Sequence, residues 1–314
     1  MKILLTSTSF DDTPGKHHEL LNSQGFKLDK KRGPLKENEL LKIIDQYDGI
    51  ICSDDEYTEN VIKKGATNNL KVISKYGVGL DSIDLKAAEK YGVKVTNCPG
   101  VNQVSVAEHV LALMLSFYRN VHLEYNITKV GKWERLVGHE IRGKQIGVLG
   151  MGSVGKETAK ITKAIGLKVK AYDKYMDYEF AQQNNIETVD SVENLLKGLD
   201  IISIHLPLNE ETKNIINQDL LNEVGVNKLL IINTARADLV EYEAIEKGLE
   251  NGTLMGYCTD VMDKEPMNPN HPLKDLDGVL ITPHIGSRTY QAVERQGIAA
   301  VNNLNNYLNE NHIS

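Results

Sequence analysis

Short β-branched runs separated by stretches of helical spacing recur from one end of the chain to the other. In the first third, Lys2 to Thr6, Gly49 to Ser53, Lys71 to Lys75 and Val93 to Asn97 read as strands, and Lys16 to Ser23, Lys36 to Tyr47 and Leu85 to Tyr91 as helices. Cys98-Pro99-Gly100 interrupts the alternation, and Ser105 to Arg119 follows as an apolar-rich helix with Val106, Val110, Leu113 and Phe117 on one stripe. From Gln145 the alternation restarts, with strands at Gln145 to Leu149, Lys168 to Tyr172, Ile201 to His205, Lys228 to Asn233, Leu254 to Thr259 and Gly278 to Thr282. The last helix, about Thr289 to Leu308, is placed to cross back to the first unit. Strands alternating with helices make parallel sheets covered on both faces, so the expected class is α/β with two doubly wound units.

Composition narrows the partners. The 314 residues are 41% hydrophobic and 25% charged, ordinary for a globular chain and unlike disordered, collagenous or coiled-coil sequences. A net charge of −7 gives no basic field to attract nucleic acid. No apolar run reaches the roughly 18 residues of a membrane span, and the amino terminus lacks a signal peptide's long apolar core. Three distant cysteines, Cys52, Cys98 and Cys258, indicate neither a disulfide framework nor a metal site, and a reducing cytoplasm is expected.

Gly150-Met151-Gly152-Ser153-Val154-Gly155 closes the Gln145 strand and opens the next helix. In such a turn Gly150 serves the sharp bend, Gly152 lets a pyrophosphate approach the backbone, and Gly155 lets helix and strand pack closely. The helix amino terminus adds N–H groups and a positive dipole end. A glycine-rich turn without a ligand is the competing reading of the motif alone. Asp173, which closes the following strand 23 residues after Gly150, favours the ligand, because a carboxylate there grips ribose hydroxyls and repels a 2′-phosphate. The expected cofactor is therefore NAD, with Lys174 working in the opposite direction.

Arg236, Glu265 and His284 each follow the carboxyl end of a strand, where open α/β sheets bind ligands. Singly, each is more commonly an exposed or turn residue. Asn233-Thr234-Ala235-Arg236, Asp260-Val261 through Glu265-Pro266, and Thr282-Pro283-His284-Ile285-Gly286-Ser287 resemble, in order and spacing, the arginine, glutamate and histidine signatures of the NAD-dependent D-isomer-specific 2-hydroxyacid dehydrogenases. Lys75 to Asp81, Ser105 to His109 and His205 to Leu208 are similar to further family segments. Ala237 stands where the family usually has glycine, and Glu241-Tyr242 replaces the common Asp-Glu pair.

The resemblance implies a Rossmann NAD-binding domain, 99–286, inserted in a smaller flavodoxin-like substrate domain made of 1–98 and 287–314. It also implies that Gly77, Val78 and Gly79 hold the substrate carboxylate, that Ser153, Val154, Leu206, Thr234 and Asp260 line the cofactor, and that the ligands meet in a cleft that closes. A homodimer with Ser105 to Arg119 as interface helix is implied too, although such a stripe is more often core. Reducing a 2-keto acid needs a hydride, a proton for the forming alkoxide and a cation for the carboxylate. His284 suits the proton, Glu265 its orientation, and Arg236 the carboxylate and keto oxygen.

The substrate expected is a small anionic D-2-hydroxy or 2-keto acid. Lys75 aligns with an arginine that reaches the substrate phosphate in one type of D-3-phosphoglycerate dehydrogenase, which points to 3-phosphoglycerate; hydroxypyruvate or glyoxylate is the alternative, and a solvent-facing lysine the plain reading. The chain ends soon after the last helix, so the regulatory domain of many phosphoglycerate dehydrogenases is expected to be absent. An NAD-sensing corepressor or scaffold is the reading from another class.

Overall fold

The computed structural model describes residues 1–310, so the end of the segment assigned to the substrate domain, 311–314, lies outside the described residues. The chain forms two compact units, Met1–Asn102 with Arg288–Ser314, and Gln103–Ser287.

The first unit is a parallel five-stranded sheet: β1 Lys2–Leu5, β2 Lys27–Lys30, β3 Gly49–Cys52, β4 Val72–Lys75 and β5 Lys94–Thr96, in the order β2-β1-β3-β4-β5. Its central strands are buried on both faces, which is why they are nearly continuous apolar runs. Ile3, Leu5, Ile51 and Val72 pack on one side with Val301 and Leu304 of the helix Tyr290–Glu310. On the other side, Leu4, Ile50 and Ile73 meet Val61 and Ile62 of the helix Glu59–Asn68. The long helix packs closely on β3 at Gly49, where a Cβ would lie 2.8 Å from Leu304 Cδ1.

The second unit is a parallel seven-stranded sheet: β6 Gln145–Leu149, β7 Lys168–Tyr172, β8 Glu187–Thr188, β9 Ile201–Ile204, β10 Leu229–Asn233, β11 Leu254–Thr259 and β12 Val279–Ile281. The order is β12-β11-β10-β9-β6-β7-β8, so the winding reverses between β6 and β9. The helix Gln103–Tyr118 buries Val110, Leu113, Met114 and Tyr118 against Ile146, Val148 and Ile232. Most of its apolar stripe is thus core of its own chain, while Val104 and Leu115 remain exposed.

The expected α/β class is present, with local differences. β2 (Lys-Leu-Asp-Lys) and the two-residue β8 were not anticipated; both are sheet edges, where charge and brevity replace the apolar signal. The helix expected over Lys36 to Tyr47 is only Glu37–Leu40 followed by a tight turn at Ile44–Gln46, because Leu40, Ile44 and Tyr47 must all turn into the core. The helix Glu59–Asn68, capped by the Thr58 hydroxyl on the Val61 N–H, was also missed.

Candidate active site

The glycine turn lies where the winding reverses. Gly150 has φ +97°, and a Cβ on it would stand 2.8 Å from the carbonyl carbon of His205, just beyond β9. A Cβ on Gly155 would fall 1.9 Å from the Gly150 oxygen. The protein's own packing therefore demands these two glycines. Gly152 is different: its φ is −65°, and nothing lies within 4 Å of a Cβ built on it. What the missing side chain leaves open is the space beside the amino terminus of the helix Ser153–Ala164, which has no side-chain cap. That is the space an anion needs at a helix start.

Asp173, just past β7, accepts the Met151 N–H at 2.6 Å through Oδ2 and the Tyr175 N–H at 2.8 Å through Oδ1, which fixes it at the rim of the glycine turn. Lys174 is turned to Glu211, with Nζ and Oε2 2.7 Å apart. Leu206 leans over Gly150, its Cδ2 3.1 Å from the position of a Cβ there. Thr234 Oγ1, after β10, is buried without a hydrogen-bond partner. Burial pushes the His205 imidazole down to about 3, and its Nε2 shares a 2.9 Å hydrogen bond with Ser203. An open glycine cradle and an orphaned buried hydroxyl fit a dinucleotide lying across these strand ends.

The next three strands end level with one another: Asn233 pairs with Thr259, and Thr259 with Ile281. Arg236, Glu265 and His284 follow on that edge. Glu265 Oε2 stands 2.7 Å from His284 Nδ1, and Glu265 Oε1 accepts the Met262 N–H at 3.1 Å. Both side chains are partly open to solvent, at 44% for His284 and 39% for Glu265. His284 has φ +54°, an unusual backbone for a side chain of its size. Arg236 donates from Nη1 to the Ala235 carbonyl at 2.6 Å, and its own carbonyl accepts from Asn233 Nδ2 at 2.7 Å.

Asp260 is 2% exposed and its carboxylate serves the protein. It accepts from Thr282 Oγ1 at 2.6 Å, Ile285 N–H at 2.9 Å and Gly286 N–H at 2.7 Å. His109 Nε2 approaches it to 3.3 Å. Burial works to raise Asp260, and these donors outweigh it, His109 foremost, holding the carboxyl below its ordinary value. The sequence reading included His109 in a family segment without giving it a task. The available signal was a histidine on the buried stripe of a helix, three residues after Val106.

In the first unit, Gly77 has φ +138°, Asn97 Nδ2 donates to the Val78 carbonyl at 2.7 Å, and the Cys98 N–H donates to the Gly77 carbonyl at 2.8 Å. Among the described residues, the N–H groups of Gly77, Val78 and Gly79 donate to no protein acceptor. Lys75 is not solvent-facing, and its Cε lies 3.7 Å from the position of a Cβ built on Gly77. Its side chain is 4% exposed, and Nζ donates to the Ser53 carbonyl and to Asp54 Oδ1, the latter at 2.7 Å. Among the described residues there is no group of three or more His, Cys, Asp or Glu placed to hold a metal, and no helix long and apolar enough to cross a membrane.

Comparison with known proteins adds an independent finding. Residues 111–286 match the family model described as D-isomer specific 2-hydroxyacid dehydrogenase, NAD binding domain. A D-3-phosphoglycerate dehydrogenase of Archaeoglobus fulgidus is 36% identical over 92% of this chain, which spans only 54% of that relative's length. A glyoxylate reductase of Thermofilum pendens is 38% identical over 88% of this chain and 83% of its own. Among solved structures, an NAD+-bound 3-phosphoglycerate dehydrogenase of Entamoeba histolytica superimposes with a TM-score of 0.81 at 27% identity, covering 99% of this chain and 96% of that one.

Proposed function

This chain belongs to the D-isomer specific 2-hydroxyacid dehydrogenases, and we propose that it interconverts a small D-2-hydroxy acid and its 2-keto acid with NAD. The 2.7 Å contact between Glu265 and His284, on the strand-end edge that also carries the glycine turn, is the observation that carries the reading. NAD, when bound, takes the hydride from the hydroxy acid and its reduced form returns one to the keto acid. Gly150, Gly152, Ser153, Val154, Gly155, Asp173, Leu206 and Thr234 are the residues assigned to holding it.

A carboxylate only accepts, so Nδ1 of His284 carries the proton facing Glu265. That bond fixes the orientation of the ring and its tautomer. Nε2 is then the atom that gives a proton to the forming alkoxide in reduction and removes it in oxidation. Arg236 presents a planar fork to the carboxylate and keto oxygen, a task lysine performs poorly. The N–H groups of Gly77, Val78 and Gly79 are assigned to the substrate carboxylate.

The Lys75–Asp54 pair favours a substrate without a distal phosphate. A phosphate would have to displace Asp54, a 68% exposed carboxylate that repels it, before reaching an ammonium already bonded twice. Glyoxylate and hydroxypyruvate fit better than a phosphorylated acid. Exposed Trp133 and Val137, in the segment that follows a helix Val121–Lys129 with no buried residue, support assembly as a homodimer through this segment. Three free, buried cysteines suit a reducing cytoplasm.

The test is steady-state turnover with NADH and NADPH against glyoxylate, hydroxypyruvate and phosphohydroxypyruvate. Rapid NADH oxidation with the two uncharged-tail acids is expected. Absence of turnover with every keto acid, alongside tight NADH binding, would make the protein a nucleotide-sensing scaffold instead.

A further inference from the structure

His109 lies in the second turn of the helix Gln103–Tyr118, its side chain 15% exposed. Nε2 stands 2.9 Å from Thr282 Oγ1 and 3.3 Å from Asp260 Oδ1. Thr282 has one hydroxyl proton and directs it to Asp260 Oδ1 at 2.6 Å, so toward His109 its oxygen accepts and Nε2 is the protonated nitrogen. The imidazole therefore donates into the Thr282–Asp260 pair from a helix, while Ile285 and Gly286 donate into the same carboxylate from the strand-end loop.

His284 sits inside that loop, between two residues that Asp260 grips. Its positive φ is a backbone state that a non-glycine residue keeps where its surroundings impose it. The fit is tight: a Cβ on Gly286 would come within 3.0 Å of Asp260 Oδ2 and 3.5 Å of His109 Cδ2. Without the imidazole, burial of Asp260 would lose the foremost of the donors that offset it.

We propose that His109 is a positioning residue: by holding Asp260 and Thr282 from the helix, it keeps the 282–286 loop in the shape that sets His284 against Glu265. Only the kinetic part of the test rests on the dehydrogenase reading.

Two substitutions in the full-length chain separate donor from bulk. His109→Leu keeps volume and removes the N–H; His109→Gln places an N–H near the same point. The first readout is the ring spectrum of His284 by proton–nitrogen NMR, assigned with His284→Asn, which needs no substrate. His109→Leu is expected to shift and broaden the Nδ1–H signal that faces Glu265, and His109→Gln to leave it in place. The second is kinetic: His109→Leu lowers kcat about 10- to 100-fold, as a small misplacement of a reacting group does, with NADH Kd and substrate KM changed less than about threefold, and His109→Gln restores most of the loss. Should His109→Leu not fold, Thr282→Val removes the relay hydroxyl and serves in its place. An unmoved His284 signal in a folded His109→Leu protein overturns the proposal whatever kcat does. A wild-type protein that reduces no keto acid removes the proposed reaction and leaves the NMR comparison standing.

Discussion

Glu265 Oε2 and His284 Nδ1 meet at 2.7 Å although 19 residues separate them in the chain. Sheet order explains the meeting. β11 and β12 are parallel neighbours in register from Tyr257 with Val279 to Thr259 with Ile281, so the loops that leave them start side by side. The Met262 N–H then anchors the other carboxylate oxygen, which fixes the direction from which Glu265 addresses the ring.

Substrate choice is tested at Asp54. Removing its charge in Asp54→Asn releases the Lys75 ammonium, and the ratio of kcat/KM for phosphohydroxypyruvate to that for glyoxylate should rise about tenfold, the effect of roughly one repulsive charge contact. Lys75→Met should depress both substrates alike, because Lys75 organises the Ser53–Asp54 turn. A loss confined to the phosphorylated acid would make Lys75 a phosphate clamp after all.

Cofactor choice is assigned to Asp173, with the cation beside it working in the opposite direction. Wild-type protein should use NADH at least about 100-fold better than NADPH. Glu211→Gln frees Lys174 and should improve NADPH use by about threefold, no more, since the pair is exposed. Asp173→Ala should have the larger effect on the NADH-to-NADPH ratio. Equal use of both nucleotides by the wild type would remove the role given to Asp173.

His205 gives a pH signature of stability. Its folded value of about 3 lies below the roughly 6.5 of an unfolded histidine. The unfolded chain binds the extra proton between those limits, so the contribution is complete above about pH 6.5 and is lost as pH falls toward 3. The urea midpoint of the wild type should drop further between pH 7 and pH 5 than that of His205→Gln. Parallel drops would show that the imidazole takes a proton without cost where it stands.

The exposed apolar face gives a prediction for mass. Light scattering should return twice the chain mass of 35.0 kDa for the wild type and a single-chain mass for Val137→Asp. A monomeric wild type would leave Trp133 and Val137 without the partner assigned to them.

What was legible from the residue order was local. The glycine turn announces itself because Gly150, Gly152 and Gly155 sit between an apolar run and a helix, and Asp173 closes the next run. The fate of Lys75 was not legible, because it depends on β3 lying beside β4 with Cys52 opposite Lys75, which brings Ser53 and Asp54 to the ammonium. Asp260 shows the same limit. Its place after β11 suits a cofactor contact, yet its burial and its bonds to Thr282, Ile285 and Gly286 come from a neighbouring strand end. Edge strands such as Lys27–Lys30 carry too little apolar pattern to be seen before the sheet is known.

The Glu265–His284 pair as the proton-handling centre is tested most directly by kcat for NADH-dependent reduction of the best keto acid in His284→Ala, measured with the Kd for NADH. The expected result is a fall of about 100- to 10,000-fold in kcat, the usual worth of general acid catalysis, with Kd within about threefold of wild type. A folded His284→Ala protein that turns over at the wild-type rate would contradict it.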